Sequence, residues 1–346
     1  MEVREVFSKS KSMELPRKVV IGHDALLEVE KVCDSLKLGK TALLVVDETT
    51  KKVAGDAVMD ILSDGGYSVQ DIVINEADRA TIEKVKAAGL ENGTSFLLGV
   101  GGGRPIDVAK CASTSMGLPF LSVPTAASHD GIVSSRASIK MDGGRESIVA
   151  QSPMAVVMDT YVIAQSPHRL LAAGCGDIIS NSTAVKDWVL ARNLKNEYYS
   201  SYAASLSEMT AQLLIENAEA IKPKLEESAW FVAKALVSSG VAMSIAGTSR
   251  PASGSEHKFS HALDNISKRP AIMMMYLHGG DWKRIRNALL AVGAPTSARG
   301  MNVPEDDIIE ALVHAHEIKK ERYTILGDEG LTREAAENLA RTTRVI

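Results

Sequence analysis

Three features of this sequence predict a parallel, doubly wound α/β sheet followed by an all-helical half. Apolar runs of strand length alternate with amphipathic helical patterns through the first half. Those runs lack in–out alternation, as expected of strands covered on both faces. Past Ser166-Pro167 the strand candidates stop and long helical patterns take over. A chain of 346 residues exceeds one ordinary compact core, so two domains are expected, 1–166 and 167–346. A cleft between two such halves is a frequent place for ligand sites.

In order, Lys18–Ile21 is a short extended run, and His23-Asp24 can open a helix reaching Leu36. Thr41–Val46 is a continuous apolar strand, and Thr49–Ser63 is a helix stopped by the turn pair Gly65-Gly66. Tyr67–Ile74 reads as a strand, Ala80–Ala88 as a helix, and Ser95–Val100 as a strand feeding a glycine cluster. Asp107–Ser115 is helical, and Leu118–Val123 and Met154–Met158 are further strands. The second half shows helical patterns over Arg169–Leu194, Tyr199–Ile221, Leu225–Ala246, Ser255–Ile266, Asp281–Val292 and Glu305–Ile318.

Hydrophobic residues make up 45% of the chain and charged residues 24%, the balance of a globular protein. A formal charge of −4 argues against nucleic acid or an anionic membrane as the main partner. No apolar run reaches the ~18–20 residues that span a bilayer, and the N-terminal stretch lacks a signal-peptide core. A cytoplasmic setting is the simplest expectation. Cys33, Cys111 and Cys175 form no CxxC pair, which disfavours a disulfide framework and a cysteine zinc site alike.

The strongest local signal is SFLLGVGGGRPIDVAK, residues 95–110. An apolar strand runs into Gly101-Gly102-Gly103, and Pro105 sits where a helix can start. Glycines let backbone approach a pyrophosphate, and a helix N-terminus supplies free N–H groups and a positive dipole end. The cluster follows about the fourth strand, unlike the usual GxGxxG fingerprint, which follows the first. The acidic residue at a strand end that could hold a ribose is Asp47, which lies before the cluster. A second loop, Thr125-Ala126-Ala127-Ser128-His129-Asp130, follows the next strand, where small hydroxyl residues suit hydrogen bonding to a cofactor.

The second half carries SGSEHKFSHALD, in which His257 and His261 are four apart and share a helix face. Such a pair can share a metal, or divide metal and substrate between them. Lys258 and Phe259 stand where an HExxH protease would have other residues. Upstream, Asp177 is a single carboxylate in the apolar stretch LAAGCGDII, costly to bury unless it is bonded, protonated or metal-bound. His129 could face the cleft, and His278, before Gly279-Gly280, reads as a cap. His314 and His316 read as solvated, and Met273-Met274-Met275 as core packing.

Taken together, GVGGGRPIDVAK, SVPTAASHDG, AAGCGDIISN and SGSEHKFSHALD resemble, in order and rough spacing, the iron- or zinc-dependent polyol dehydrogenase and dehydroquinate synthase-like superfamily. TAASHDGIVSSRASI with RPASGSEHKFSHALD is similar to the archaeal glycerol-1-phosphate dehydrogenase family within it, over nearly the whole chain. The resemblance implies a Rossmann-like domain, an all-α domain and an active site in the cleft. It implies NAD(P)H and one Zn²⁺ per subunit, and reduction of dihydroxyacetone phosphate to sn-glycerol 1-phosphate for archaeal membrane lipids. A homo-oligomer is expected. The alternatives are a glycerol or other polyol dehydrogenase, or a lyase of the dehydroquinate synthase kind.

Position by position, the resemblance assigns Gly101, Gly102, Gly103, Arg104, Pro105, Ile106 and Asp107 to the cofactor loop. Thr125, Ala126, Ala127, Ser128 and Ser134 would add cofactor contacts, with Asp47 on the ribose. Asp130 would contact substrate, Asp177 and His257 would bind metal, Asp177 also meeting substrate, and His261 would face the substrate. Arg250 and Lys258 are candidates for a phosphate. One departure stands out. The family's third metal ligand is a histidine in a short segment shortly after the His257–His261 helix, and here Ala271 runs directly into Ile272. The resemblance thus finds two protein ligands for the metal in this sequence, Asp177 and His257.

Overall fold

The computed structural model describes residues 13–141, 144–263 and 271–346. Six strands form one parallel sheet in the order β1-β8-β5-β4-β2-β3: β1 Lys18–Gly22, β2 Thr41–Val46, β3 Ser68–Val73, β4 Phe96–Gly101, β5 Phe120–Pro124 and β8 Ala155–Asp159. Helices α1 Val29–Ser35, α2 Glu48–Thr50, α3 Asp56–Asp64, α4 Arg79–Glu91 and α5 Gly103–Met116 connect the strands, with residues 51–55 wound as a π-turn between α2 and α3. Leu43, Val45 and Leu97 enter one buried cluster and Leu44, Val46 and Leu98 another. Neighbouring residues of one strand are thus buried on opposite faces, which is why the apolar runs show no alternation.

The strand order explains the late glycine cluster. From β2 the chain moves out to the edge strand β3, then returns past β2 to β4. A parallel sheet opens a crevice at the carboxyl ends where its winding reverses. Here that point lies between β2, ending beside Asp47, and β4, ending at Gly101.

One pair of elements lies in a stretch the sequence patterns leave unassigned. Residues 136–149 form an antiparallel hairpin of β6 Arg136–Met141 and β7 Gly144–Val149. It is fixed from α5: Asp107 Oδ2 accepts the Ser138 N–H at 2.9 Å, and Lys110 donates to the Gly131 and Arg136 carbonyls, both at 2.5 Å.

Past β8 every element is helical: α6 Thr160–Gln165, α7 His168–Lys195, α8 Ser201–Asn217, α9 Glu226–Ala246 and α10 Ser255–Ala262. Then come α11 Ala271–Leu277, α12 Trp282–Ala291, α13 Ala298–Met301, α14 Glu305–His314 and α15 Arg333–Thr342. The expected continuation of α10 to Ile266 lies outside the described residues. The methionine run forms α11, where Met273 and Met274 pack with Phe259, Ile308 and Leu312. By length and composition α9 is apolar enough to cross a bilayer, although Lys234 interrupts its apolar run. Its Val232, Ala233 and Leu236 instead bury in the cluster that also holds Val156, Met158, Ile178 and Leu289. That cluster runs without a break past residue 166, between α6 and α7.

The longest helix, α7, carries two glycines that propensity disfavours. A Cβ on Gly174 would lie 2.1 Å from the Ala127 carbonyl oxygen, so glycine lets α7 press against the loop after β5. No such demand exists at Gly176, where a Cβ would meet only Leu289 at 3.7 Å.

Candidate active site

The nucleotide side is mostly backbone. Gly101 ends β4 with φ +152°, and an added Cβ would stand 2.8 Å from Pro105 and 2.9 Å from the Thr50 hydroxyl. Gly102 caps α5, and its missing Cβ would meet nothing in the chain. Packing therefore does not demand glycine there; the space before the helix N-terminus is open, and no acidic side chain occupies the first turn. Pro105 and Ile106 are buried behind the loop. The Thr125 N–H donates to the Gly101 carbonyl at 3.0 Å, joining the two loops. Ala126 and Ala127 are buried and Ser128 is half-buried, so the 125–128 loop also offers backbone.

Asp47 stands at the mouth of the crevice. Its Oδ1 accepts the Thr49 and Thr50 N–H groups at 3.0 and 2.8 Å, capping α2, while Oδ2 lies 3.6 Å from Arg104. Arg104 also donates to the Asn75 carbonyl at 2.8 Å. Two of the expected cofactor residues turn inward instead. Asp107 is buried and holds the β6 backbone, 3.5 Å from Lys110. Ser134 is fully buried, its hydroxyl accepting the Arg136 N–H at 3.3 Å.

The other wall is made of side chains. Asp130, in the 3-10 turn Asp130–Ile132, gives its N–H to Asp177 Oδ2 at 2.8 Å. Its own Oδ2 accepts the Ser239 hydroxyl at 2.7 Å, and Ser239 accepts from Asn181 at 3.0 Å. The loop after β5, α7 and α9 are thus tied through the carboxylates the motifs singled out. Ser239 and Asn181 went unnoticed in the sequence because nothing local marks them; they matter only across 109 and 58 residues of separation.

His257 is held by a neighbour the motif reading passed over. Buried Glu256 accepts from His257 Nδ1 at 2.8 Å, from the Gly254 N–H at 2.6 Å and from Thr183 at 3.0 Å. With a proton on Nδ1, Nε2 is left with its lone pair, the arrangement of a carboxylate-oriented metal histidine. His261 is pushed down to about 4 by burial, then by His257, Lys319 and Arg322, so it is neutral at neutral pH. Among the described residues, however, no three His, Cys, Asp or Glu side chains gather closely enough to hold an ion. The donor set for a metal is incomplete.

The remaining histidines have structural employment. His278 bonds Asp187 at 3.0 Å, His314 lies exposed beside Glu310 and Glu317, and His316 meets the Val313 carbonyl. His129 Nδ1 accepts the Gly131 N–H at 3.0 Å, while its Nε2 fills the space a Cβ on Gly103 would take. Of the two phosphate candidates, Arg250 is fully engaged by Glu197 and the Tyr323 carbonyl. Lys258 is buried, its partner among the described residues the His316 carbonyl at 3.4 Å, and burial, then Arg250 and Arg322, push it down to about 8. All three cysteines are buried thiols raised to about 12 by burial, unsuited to nucleophilic work.

Residues 20–167 match the family model described as iron-containing alcohol dehydrogenase. The chain is 56% identical to the NAD(P)+ glycerol-1-phosphate dehydrogenase of Methanococcoides burtonii, over 98% of this chain and 97% of that one. The chain belongs to the glycerol-1-phosphate dehydrogenase family. The resemblance carried by the motifs is thereby borne out. The same-named enzyme of Methanothermobacter thermautotrophicus is 51% identical over 97% of this chain and 99% of its own length. A solved structure of a probable glycerol dehydrogenase from Sinorhizobium meliloti shares the fold with a TM-score of 0.78, covering 98% of this chain and all of that one at 20% identity. The alignment with the Methanococcoides enzyme spans 348 positions yet takes in 98% of 346 residues. That relative therefore carries several residues this chain does not.

Proposed function

We propose that this chain transfers a hydride from NAD(P)H to the carbonyl carbon of dihydroxyacetone phosphate while the carbonyl oxygen takes up a proton from solvent, giving sn-glycerol 1-phosphate and NAD(P)+. The observation that carries this reading is 56% identity to an enzyme of that name over 98% of this chain. The cleared space before Gly102 and the exposed start of α5 fit a pyrophosphate. Gly101, Gly102, Gly103 and the 125–128 backbone would hold the dinucleotide, with Asp47 and Arg104 at the ribose. The bound nicotinamide supplies the hydride.

The substrate wall orients the ketone. Asp130, fixed by Ser239, accepts from the substrate hydroxyl, and neutral His261 hydrogen-bonds the ketone oxygen. Of the zinc site the resemblance implies, the chain supplies Asp177 and His257, with Glu256 orienting the histidine. Two ligands fall short of the three that a catalytic zinc site uses.

In this reading residues 1–166 bind the dinucleotide and 167–346 the substrate, in a cytoplasmic enzyme that supplies glycerol phosphate to archaeal membrane lipids. The test is NADH and NADPH oxidation with dihydroxyacetone phosphate, with dihydroxyacetone, and with phosphate release followed alongside. Stoichiometric oxidation with the phosphorylated ketone and no phosphate release is expected. Equal turnover of dihydroxyacetone would point to a polyol dehydrogenase, and phosphate release without net oxidation to a lyase. Metal analysis together with the intact mass of the purified chain decides the zinc site.

A further inference from the structure

Three buried polar side chains stand in line behind the loop after β5: Asp130 from the loop, Ser239 from α9 and Asn181 from α7. We propose that Ser239 and Asn181 are positioning residues of the reduction, an ordered pair of donors that aims the Asp130 carboxylate at the substrate. This rests on the reading above that Asp130 touches the substrate.

The main chain at Asp130 is already committed. Its N–H goes to Asp177 Oδ2 at 2.8 Å, and its carbonyl accepts the Val133 and Ser134 N–H groups at 3.0 and 3.1 Å. Those bonds leave the carboxyl group free to rotate about its own side-chain bonds. The Ser239 hydroxyl, 2.7 Å from Oδ2, removes that freedom from α9, 109 residues away in the chain. The order of donors then follows from chemistry. A carboxylate oxygen only accepts and a hydroxyl has one proton, so the Ser239 proton is committed to Asp130. Ser239 can therefore only accept from Asn181, whose Nδ2 lies 3.0 Å away. A helical serine ordinarily gives its proton to its own helix, as the adjacent Ser238 does to the Lys234 carbonyl at 3.0 Å. Ser239 gives its proton outside α9 instead.

Two further observations separate this line from ordinary core packing. Asn181 lies one turn after Asp177 on the same face of α7, fully buried, and its Oδ1 has no hydrogen-bond partner among the described residues. A buried acceptor left unpaired lowers stability, so packing alone does not favour an asparagine here; the N–H it turns to Ser239 does. Beside Ser239 stands Gly240, where a Cβ would lie 2.9 Å from Val133 Cβ and 3.4 Å from the Ser134 nitrogen. Glycine thus lets α9 lie directly against the turn that Asp130 opens, which brings the Ser239 hydroxyl within bonding distance of Oδ2. On α7, Gly174 makes the same close approach to Ala127. The loop is gripped between the two helices, with its 125–128 backbone at one end and the substrate carboxylate at the other.

The test is a double-mutant cycle in steady-state kinetics with dihydroxyacetone phosphate, run beside NADH titrations and thermal melts. In Ser239→Ala, kcat/KM for the ketone should fall roughly tenfold, the worth of one hydrogen bond to a charged group, while NADH affinity holds. Ser239→Thr, which keeps the hydroxyl, should recover most of the loss. Asn181→Leu should lose roughly threefold, as for a neutral hydrogen bond, and should add nothing to the loss already present in Ser239→Ala. In an Asp130→Ala background neither substitution should have a further effect, because both act through that carboxylate. Side chains that only support the fold would give losses that add in that background. Additive losses, or a kcat/KM in Ser239→Ala equal to wild type, overturn the proposal. If turnover of Asp130→Ala is too slow to follow, calorimetric binding of the ketone reads the same cycle. If the wild type reduces dihydroxyacetone and not its phosphate, the substrate reading fails, and the cycle run on that ketone still decides the positioning pair.

Discussion

The two walls of the cleft are made of different material. The wall beneath β2, β4 and β5 works with main chain: a left-over space at Gly102, an open helix start at α5, and the buried alanines of the 125–128 loop. The facing wall works with buried side chains, Asp130, Asp177, Asp187, Glu256 and their partners, each carboxylate fed by donors from other helices. A main-chain wall tolerates changes of side chain and is harmed by an added Cβ. A side-chain wall has the opposite vulnerability, because removing one member leaves buried donors or charge without a partner.

The hardest blow should fall on the side-chain wall at a residue far from the chemistry. Asp187 accepts the Ser255 N–H and hydroxyl at 2.6 Å, the Ile325 N–H at 2.7 Å, and bonds His278 at 3.0 Å. It pins α10 and the turn after α14 to α7. Asp187→Ala should cost about 3–5 kcal/mol, the range for breaking a buried charged network, read as a lowered urea midpoint. A loss below about 1 kcal/mol would mean that these donors find water instead.

Where the walls meet, the main-chain rule takes over. Gly174→Ala puts a Cβ 2.1 Å from the Ala127 carbonyl, and the helix must move to admit it. A loss of about 1–3 kcal/mol is expected by the usual cost of overpacking. Gly176→Ala is the matched control in the same helix and should be neutral or mildly stabilising, since its Cβ has room. Equal melting temperatures for the two variants would break the comparison.

The same division decides what could be read from the sequence. The parallel sheet and its strands were legible because burial on both faces leaves unbroken apolar runs such as Thr41–Val46. The hairpin of β6 and β7 was not, since it is held by Asp107 and Lys110 from another element, not by a pattern of its own. In the site, the glycine cluster and the carboxylates declared themselves locally, through residue types that cost stability unless used. Asp107 stood out for the same reason, as a carboxylate beside a glycine loop; that it is buried and holds the β6 backbone is visible only in the fold. Ser239 and Glu256 gain their meaning from neighbours far along the chain, and no spacing rule reaches them.

Gly102 offers a sharper test of the main-chain wall, with a smaller effect. Its φ of −82° suits any residue and an added Cβ meets nothing, so Gly102→Ala should leave stability within about 0.5 kcal/mol. The dinucleotide should nonetheless bind roughly tenfold more weakly, because a methyl then stands where the pyrophosphate approaches. Fluorescence titration with NADH, set beside a thermal melt, separates the two. Unchanged affinity would place the cofactor elsewhere.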